Sequence, residues 1–130
     1  MTKFAPSERT SFDKIQENFD NFYNNKVIEK LLSAVPNMML VLNQQRQVVY
    51  CNRALIETLG LVDKHVVLGL RPGEIFNCIN ASISEEGCGT TEFCRACGAV
   101  RAILETQRSG NPSRYECNML IKSDEGIKAL

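Results

Sequence analysis

Between Cys78 and Gly98 the chain reads CINASISEEGCGTTEFCRACG, and four of its six cysteines fall in that run, at Cys78, Cys88, Cys94 and Cys97. The spacers between them are nine, five and two residues. Thiolates are soft donors, and four of them around one ion form a tetrahedral zinc site or the cage of an iron–sulfur cluster. Cys94-Arg95-Ala96-Cys97-Gly98 is a C-x-x-C knuckle closed by glycine, a short way to aim two sulfurs at one ion. Gly89 and Gly98, each directly after a cysteine, permit backbone conformations that turn N–H groups towards sulfur. Arg95 and Arg101 are placed to offset the negative charge of such a centre.

Three readings of these thiols stay open. Zinc is favoured, because residues 77–92 have little apolar content of their own, and a structural zinc site supplies ordering energy of about 10 kcal/mol. An iron–sulfur cluster would make the segment a redox or oxygen sensor, although a tighter C-x-x-C-x-x-C run is missing. In the third reading the thiols are free or oxidised; a Cys94–Cys97 disulfide would close a strained, very short loop. Cys51 and Cys117 fall at or within expected strands and are read as small apolar side chains in the core.

Composition excludes several other functions. Fifteen basic and fifteen acidic residues cancel, so no basic excess points to nucleic acid or an anionic membrane. No apolar run is long enough to span a bilayer, and the first residues lack the apolar core of a signal peptide. A cytoplasmic location with reduced thiols is expected, where clustered cysteines mean metal more often than disulfides. His65 is the only histidine, lies in a polar VDKH segment and is expected to be solvated, which removes most histidine-based catalysis. Glycine-rich phosphate loops are absent, and the Glu85-Glu86 and Asp124-Glu125 pairs lie in expected turns. Nothing in the chain argues for an enzyme.

The elements that must position the thiols follow from periodicity. Phe12, Ile15, Phe19 and Phe22 share one helix face, continuing less regularly to Val35, where Pro36 ends the helix. The Asn21–Asn25 run is a poor helix interior and predicts a break. That stripe suits either packing on its own domain or a two-helix dimer seam, with Lys26 interrupting the second pattern. Met38–Leu42 and Gln47–Tyr50 read as strands joined by a polar turn. Asn52 can cap a helix ending at Gly60, with Ala54, Leu55 and Leu59 inward. After Gly69 and the Pro72-Gly73 turn, the cysteine run reads as loop with short helical pieces. A helix from Gly98 carries Val100, Ile103 and Leu104 and stops at Gly110. Arg114–Lys122 reads as a strand, followed by a turn at Asp124-Glu125-Gly126 and another strand to Leu130.

This order of elements resembles the PAS domain. The matching residues are Pro36 before the first strand, Asn52-Arg53-Ala54 after the second, Leu59-Gly60 at the helix end and Gly69 before the turn. With Arg71-Pro72-Gly73-Glu74 ahead of the cysteines and CGAVRAI behind them, the chain looks like a cysteine-rich subgroup of bacterial sensory-box domains that often precede histidine kinases. The resemblance implies an α+β fold, an antiparallel sheet flanked by helices, at residues 27–130. Residues 1–26 would be a helical extension suited to dimerisation. The fifth strand of such a sheet is missing, which implies a longer parent protein with a downstream output domain, and a homodimer formed by the open sheet edge or the first helix. A PAS cavity would be lined by Met38, Leu40, Leu42, Val49, Leu55, Leu59, Phe76, Val100, Ile103, Tyr115 and Met119. The favoured state of that space is a filled core, the alternative a small apolar ligand. Flavin is not expected, because the residues after Asn77-Cys78 depart from the flavin-binding pattern, and haem is not expected, because the helix of residues 99–109 lacks histidine. The expected function is sensory, with a four-cysteine metal site; the alternatives are an iron–sulfur redox sensor and a metal-stabilised interaction domain.

Overall fold

Ser11 opens the first helix by accepting the Lys14 N–H on its hydroxyl at 3.3 Å, and α1 runs Phe12–Asn24. The expected break falls at Asn25, which is extended and whose Oδ1 accepts the Ile28 N–H at 3.2 Å, so that a second helix, α2 (Lys26–Ala34), starts there. It ends at extended Val35, because the residue before a proline is pushed out of the helical region. The computed structural model describes residues 4–123 and 126–129. Two compact units divide them, Arg9–Leu70 and Met1–Glu8 with Arg71–Leu130. The limit expected between residues 26 and 27 lies inside the first of these, beside the Asn25 break.

In the first unit, β1 (Leu40–Leu42) pairs antiparallel with β2 (Val48–Cys51), with a register irregularity after Val41. Asn43 builds the turn, its Oδ1 accepting the N–H groups of Gln45 and Gln47, each at 2.9 Å. On its other edge β2 is met by residues 69 and 70, through Gly69 N–H to Val48 O at 2.9 Å and Val48 N–H to Leu70 O at 2.7 Å. All four β2 residues are buried. Ile15 and Phe19 of α1 pack on Val49, Tyr50 and Leu68, with Phe22, Leu32 and Val41 at the margin. The α1 stripe therefore serves its own unit, while Phe12 at its start is exposed.

Asn52 joins these pieces. Its Oδ1 accepts the N–H of Leu55, which opens α3 (Arg53–Leu59), and that of Met39; its Nδ2 donates to the carbonyls of Leu32, Val35 and Asn37. Only the capping bond is visible in a local pattern. The helix closes on Gly60 at φ 65°, and Leu55 is the fully buried residue of its inner face.

The second unit holds α4 (Pro72–Ile75), the cysteine segment with 3-10 turns at Ile79–Ser82 and Glu92–Ala96, α5 (Gly98–Ser109), and the antiparallel pair β3 (Leu120–Ser123) and β4 (Gly126–Ala129). Gly110 caps α5 at φ 74°. One expectation is corrected. The strand expected over Arg114–Lys122 forms only from Leu120; the residues before it are fastened to α5 by side chains, Ser113 Oγ donating to Ala102 O at 2.7 Å and Tyr115 Oη to Glu105 Oε2 at 2.5 Å. The antiparallel pairing of the expected α+β fold is present, among the described residues, as two two-stranded sheets, β1 with β2 and β3 with β4. The turn expected at Asp124-Glu125 lies outside the described residues.

Asn52→Ala removes a helix cap and the donor to the Leu32, Val35 and Asn37 carbonyls, so it should cost about 2 kcal/mol, read as a lowered midpoint in urea denaturation.

Candidate functional site

Arg71 opens the cysteine segment and is fully buried. Its guanidinium donates to the carbonyls of Glu86 at 3.2 Å, Ser7 at 3.2 Å and Glu8 at 2.9 Å. A desolvated guanidinium is tolerable only when its fork of donors is matched by acceptors, and these carbonyls match it. Three residues on, the Glu74 carboxylate accepts the Arg71 N–H on Oε1 at 3.0 Å and the Cys88 N–H on Oε2 at 3.1 Å. Between them, Gly73 donates its N–H to Cys88 Sγ at 3.3 Å and accepts the Cys78 N–H at 2.7 Å. A Cβ on Gly73 would stand 2.8 Å from Cys88 Sγ and 3.3 Å from Cys78 Cβ, so this position must be glycine for the two cysteines to flank it. The RPGE sequence is thus the bracket that holds Cys78 and Cys88, a role that its reading as a simple turn did not contain.

Burial pushes the Cys88 thiol up to about 11; the Gly73 N–H opposes that rise, and Glu74, Cys94 and Cys97 add to it. Cys88 therefore lies within electrostatic reach of the knuckle pair. Cys94 is buried with Ala5 and Val100 in an apolar cluster edged by Phe4, Cys97 and Leu104, and its sulfur lies 3.2 Å from Thr91 Oγ1. Cys97 is the N-cap residue of α5. Burial raises its thiol, the Val100 and Ala99 N–H groups oppose this, and neighbouring Cys117 adds to it.

Cys117 departs from the expected core role. It lies before β3, outside the apolar cluster, with its sulfur 3.8 Å from that of Cys97. Gly98 makes this approach possible: a Cβ there would be 1.7 Å from the Glu116 carbonyl oxygen. The glycine after Cys97 is thus demanded by space, whereas Gly89 after Cys88 is demanded by its φ of 88°. The arginines expected near the sulfurs lie against rings, Arg95 over Phe4 at 5.8 Å and Arg101 over Tyr115 at 4.8 Å. Among the described residues, no three cysteine, histidine, aspartate or glutamate side chains close into a metal-binding group. The structure brings Cys78 and Cys88 together at Gly73, and Cys97 together with Cys117.

The residues proposed to line a cavity divide between the two units. Leu55 and Val49 are buried in the first and Val100 in the second; Leu40, Leu42, Leu59, Phe76, Ile103 and Met119 are half-buried; Met38 and Tyr115 are exposed. A separate groove of about 440 Å³ in the first unit is lined by Phe19, Tyr23, Arg53, Ile56, Lys64 and His65, among others. His65 is exposed at its rim, 4.9 Å from the Phe19 ring and 3.3 Å from Asp63, as a solvated side chain would be. Cys51 is buried in β2, where burial pushes its thiol from 9.0 to about 11 and nearby Lys64 opposes the rise.

Two outcomes follow from this geometry. Arg71→Ala leaves three carbonyls unmatched and should cost about 3 kcal/mol in chemical denaturation, with faster alkylation of Cys88. The neutral Cys51 thiol contributes stability that is complete below pH 9.0 and lost as pH rises towards about 11. Cys51→Ala should flatten that alkaline decline in thermal melts; an unchanged slope would refute the assignment.

Comparison with curated proteins and with solved structures finds no match. The family model of the PAS domain matches residues 26–96, more than half of the chain. That span covers α2, the first hairpin, α3, the RPGE bracket and the cysteine segment as far as the knuckle. The chain belongs to the PAS domain family, a family of sensory and signalling modules.

Proposed function

We propose that this PAS domain is the input module of a bacterial signalling protein and that its cysteine segment is a thiolate metal centre, with zinc favoured and Cys78, Cys88, Cys94 and Cys97 as donors. One observation supports the reading: Cys78 and Cys88 flank Gly73, where an added Cβ would stand 3.3 Å from the Cβ atom of each. Burial raises the Cys88 and Cys97 thiols, so forming their thiolates here is costly, and a divalent ion would compensate that charge. Drawing the sulfurs together would also order a segment whose exposed Ile83 and Phe93 contribute little to the core. Because Cys97 opens α5, gain or loss of the ion would act on that helix directly.

The module would work in the cytoplasm as a homodimer, passing the change to a downstream output domain such as a histidine kinase. Val27 and Leu31, exposed one turn apart on α2, suit the contact between copies. No described helix is long and apolar enough to cross a membrane.

Protein purified under reducing conditions should carry about one zinc per chain and be colourless. Iron with visible charge-transfer absorption would assign the same donors to an iron–sulfur cluster and a redox signal. Absence of both metals would reject the centre. Light scattering should give the mass of a dimer, and Leu31→Glu should shift it to a monomer.

A further inference from the structure

We propose that Cys97 and Cys117 form a redox modification site, which hydrogen peroxide converts to a reversible disulfide tying the start of α5 to the segment that leads into β3. The inference does not rest on the metal reading above, and it uses a thiol, Cys117, that the reading leaves aside.

The pair is assembled by the fold. Cys97 is the N-cap residue of α5 and Cys117 comes 20 residues later, yet their sulfurs are 3.8 Å apart. That is the contact distance of two unbonded sulfurs. A disulfide holds them at about 2.0 Å, so closure asks for about 1.8 Å of approach, on the scale of a side-chain rotation.

The backbone makes the approach specific. Gly98 leaves room for the Glu116 carbonyl oxygen, which would stand 1.7 Å from a Cβ there. The residues before Cys117 are fastened along α5, with Ser113 Oγ donating to Ala102 O and Tyr115 Oη to Glu105. Cys117 is therefore held at Cys97 although it lies outside a strand.

An oxidant can reach the pair. Both thiols are half-buried, whereas Cys51 and Cys94 are buried. Residues 114–116 and 118, on either side of Cys117, are exposed. Cys97 instead packs at the edge of the cluster of Ala5, Cys94 and Val100. These surroundings make Cys117 the first thiol attacked and Cys97 the one that resolves it.

The chemistry has two steps. The Cys117 thiolate attacks one oxygen of the peroxide; an S–O bond forms, the O–O bond breaks, and the departing hydroxide takes up a proton as water. The Cys97 sulfur then displaces hydroxide from the Cys117 sulfenic acid; the S–S bond forms, the S–O bond breaks, and the Cys97 proton leaves with the hydroxide as a second water. The two sulfurs lose two electrons and the peroxide oxygens gain them. The second attack joins groups already in contact, so it does not require an unusually reactive thiol.

The bond would close the chain around α5, since Cys97 precedes that helix and Cys117 follows it. The approach to β3 would be pinned with it. In the metal reading Cys97 is also a donor, so its oxidation would withdraw it from the ion.

The test uses the full chain, reduced, treated with a chelator, exposed to stoichiometric hydrogen peroxide, blocked with an alkylating agent and mapped by mass spectrometry. The expected product is a Cys97–Cys117 cross-linked peptide that dithiothreitol reverses, with a melting temperature raised by about 5 °C over the reduced chain. Cys51→Ala should form the same cross-link. In Cys97→Ser the Cys117 sulfenic acid lacks its partner and should be trapped by dimedone, about tenfold more than Cys97 is in Cys117→Ser. A Cys94–Cys97 cross-link as the main product, or Cys97 and Cys117 both still open to alkylation after peroxide, would overturn the site. Dimedone on Cys97 in Cys117→Ser with none on Cys117 in Cys97→Ser would overturn the order of attack. Zinc in the untreated parent is measured separately: its absence would overturn the metal reading and leave the disulfide standing, and its presence would not rescue a missing disulfide.

Discussion

The buried guanidinium of Arg71 is the constraint on which the cysteine segment depends. A charge that cannot be neutralised has been taken out of water, so its donors must be met wherever they point. They point at the carbonyls of Ser7, Glu8 and Glu86, and each of those stretches is thereby fixed in place. Glu74, one turn later, uses its two carboxylate oxygens on the Arg71 and Cys88 N–H groups. An otherwise irregular connection with few apolar side chains acquires a defined path from polar contacts. Polar anchoring of this kind suits a sensory segment, because its order depends on a few specific bonds and can change when one of them does.

Close backbone approach is the second recurring device. Gly73 lets Cys88 and Cys78 flank the α4 backbone, and Gly98 lets the Glu116 carbonyl lie against the start of α5. Both positions exclude a side chain by contact, not by dihedral angle. Among these thiols, burial raises those of Cys88 and Cys97. A thiol held neutral by burial is a poor nucleophile, because the thiolate is the reactive form. The fold family supplies the scaffold; what this member does is decided by these local residues.

Much of the local structure was legible because its causes are local. Ser11, Asn25, Asn52, Gly60 and Gly110 start or stop helices through contacts within a few residues, and each acts where its type and place in the pattern suggest. The hairpin turn at Asn43 and the stop at Pro36 are of the same kind. The strand over Arg114–Lys122 was misread because β propensity describes a half-buried surface and cannot say whether a partner is present. There the neighbour is α5, and the chain bonds to a helix.

The sequence by itself determined helices α1, α2, α3 and α5, the caps at Asn52, Gly60 and Gly110, the first hairpin, the family and the clustering of thiols between Cys78 and Cys97, since these rest on residue type and short spacing. Only the tertiary structure decided which thiols meet. Cys117 is far from the knuckle along the chain, yet its sulfur is beside Cys97, because Gly98 admits the Glu116 backbone. Cys78, inside the cluster by spacing, is held at Gly73 by its own backbone bonds. Likewise Arg71 reads in sequence only as the start of the RPGE stretch ahead of the cysteines, and only the fold buries it. Spacing records neighbours along the chain, whereas donor geometry and desolvation depend on neighbours in space.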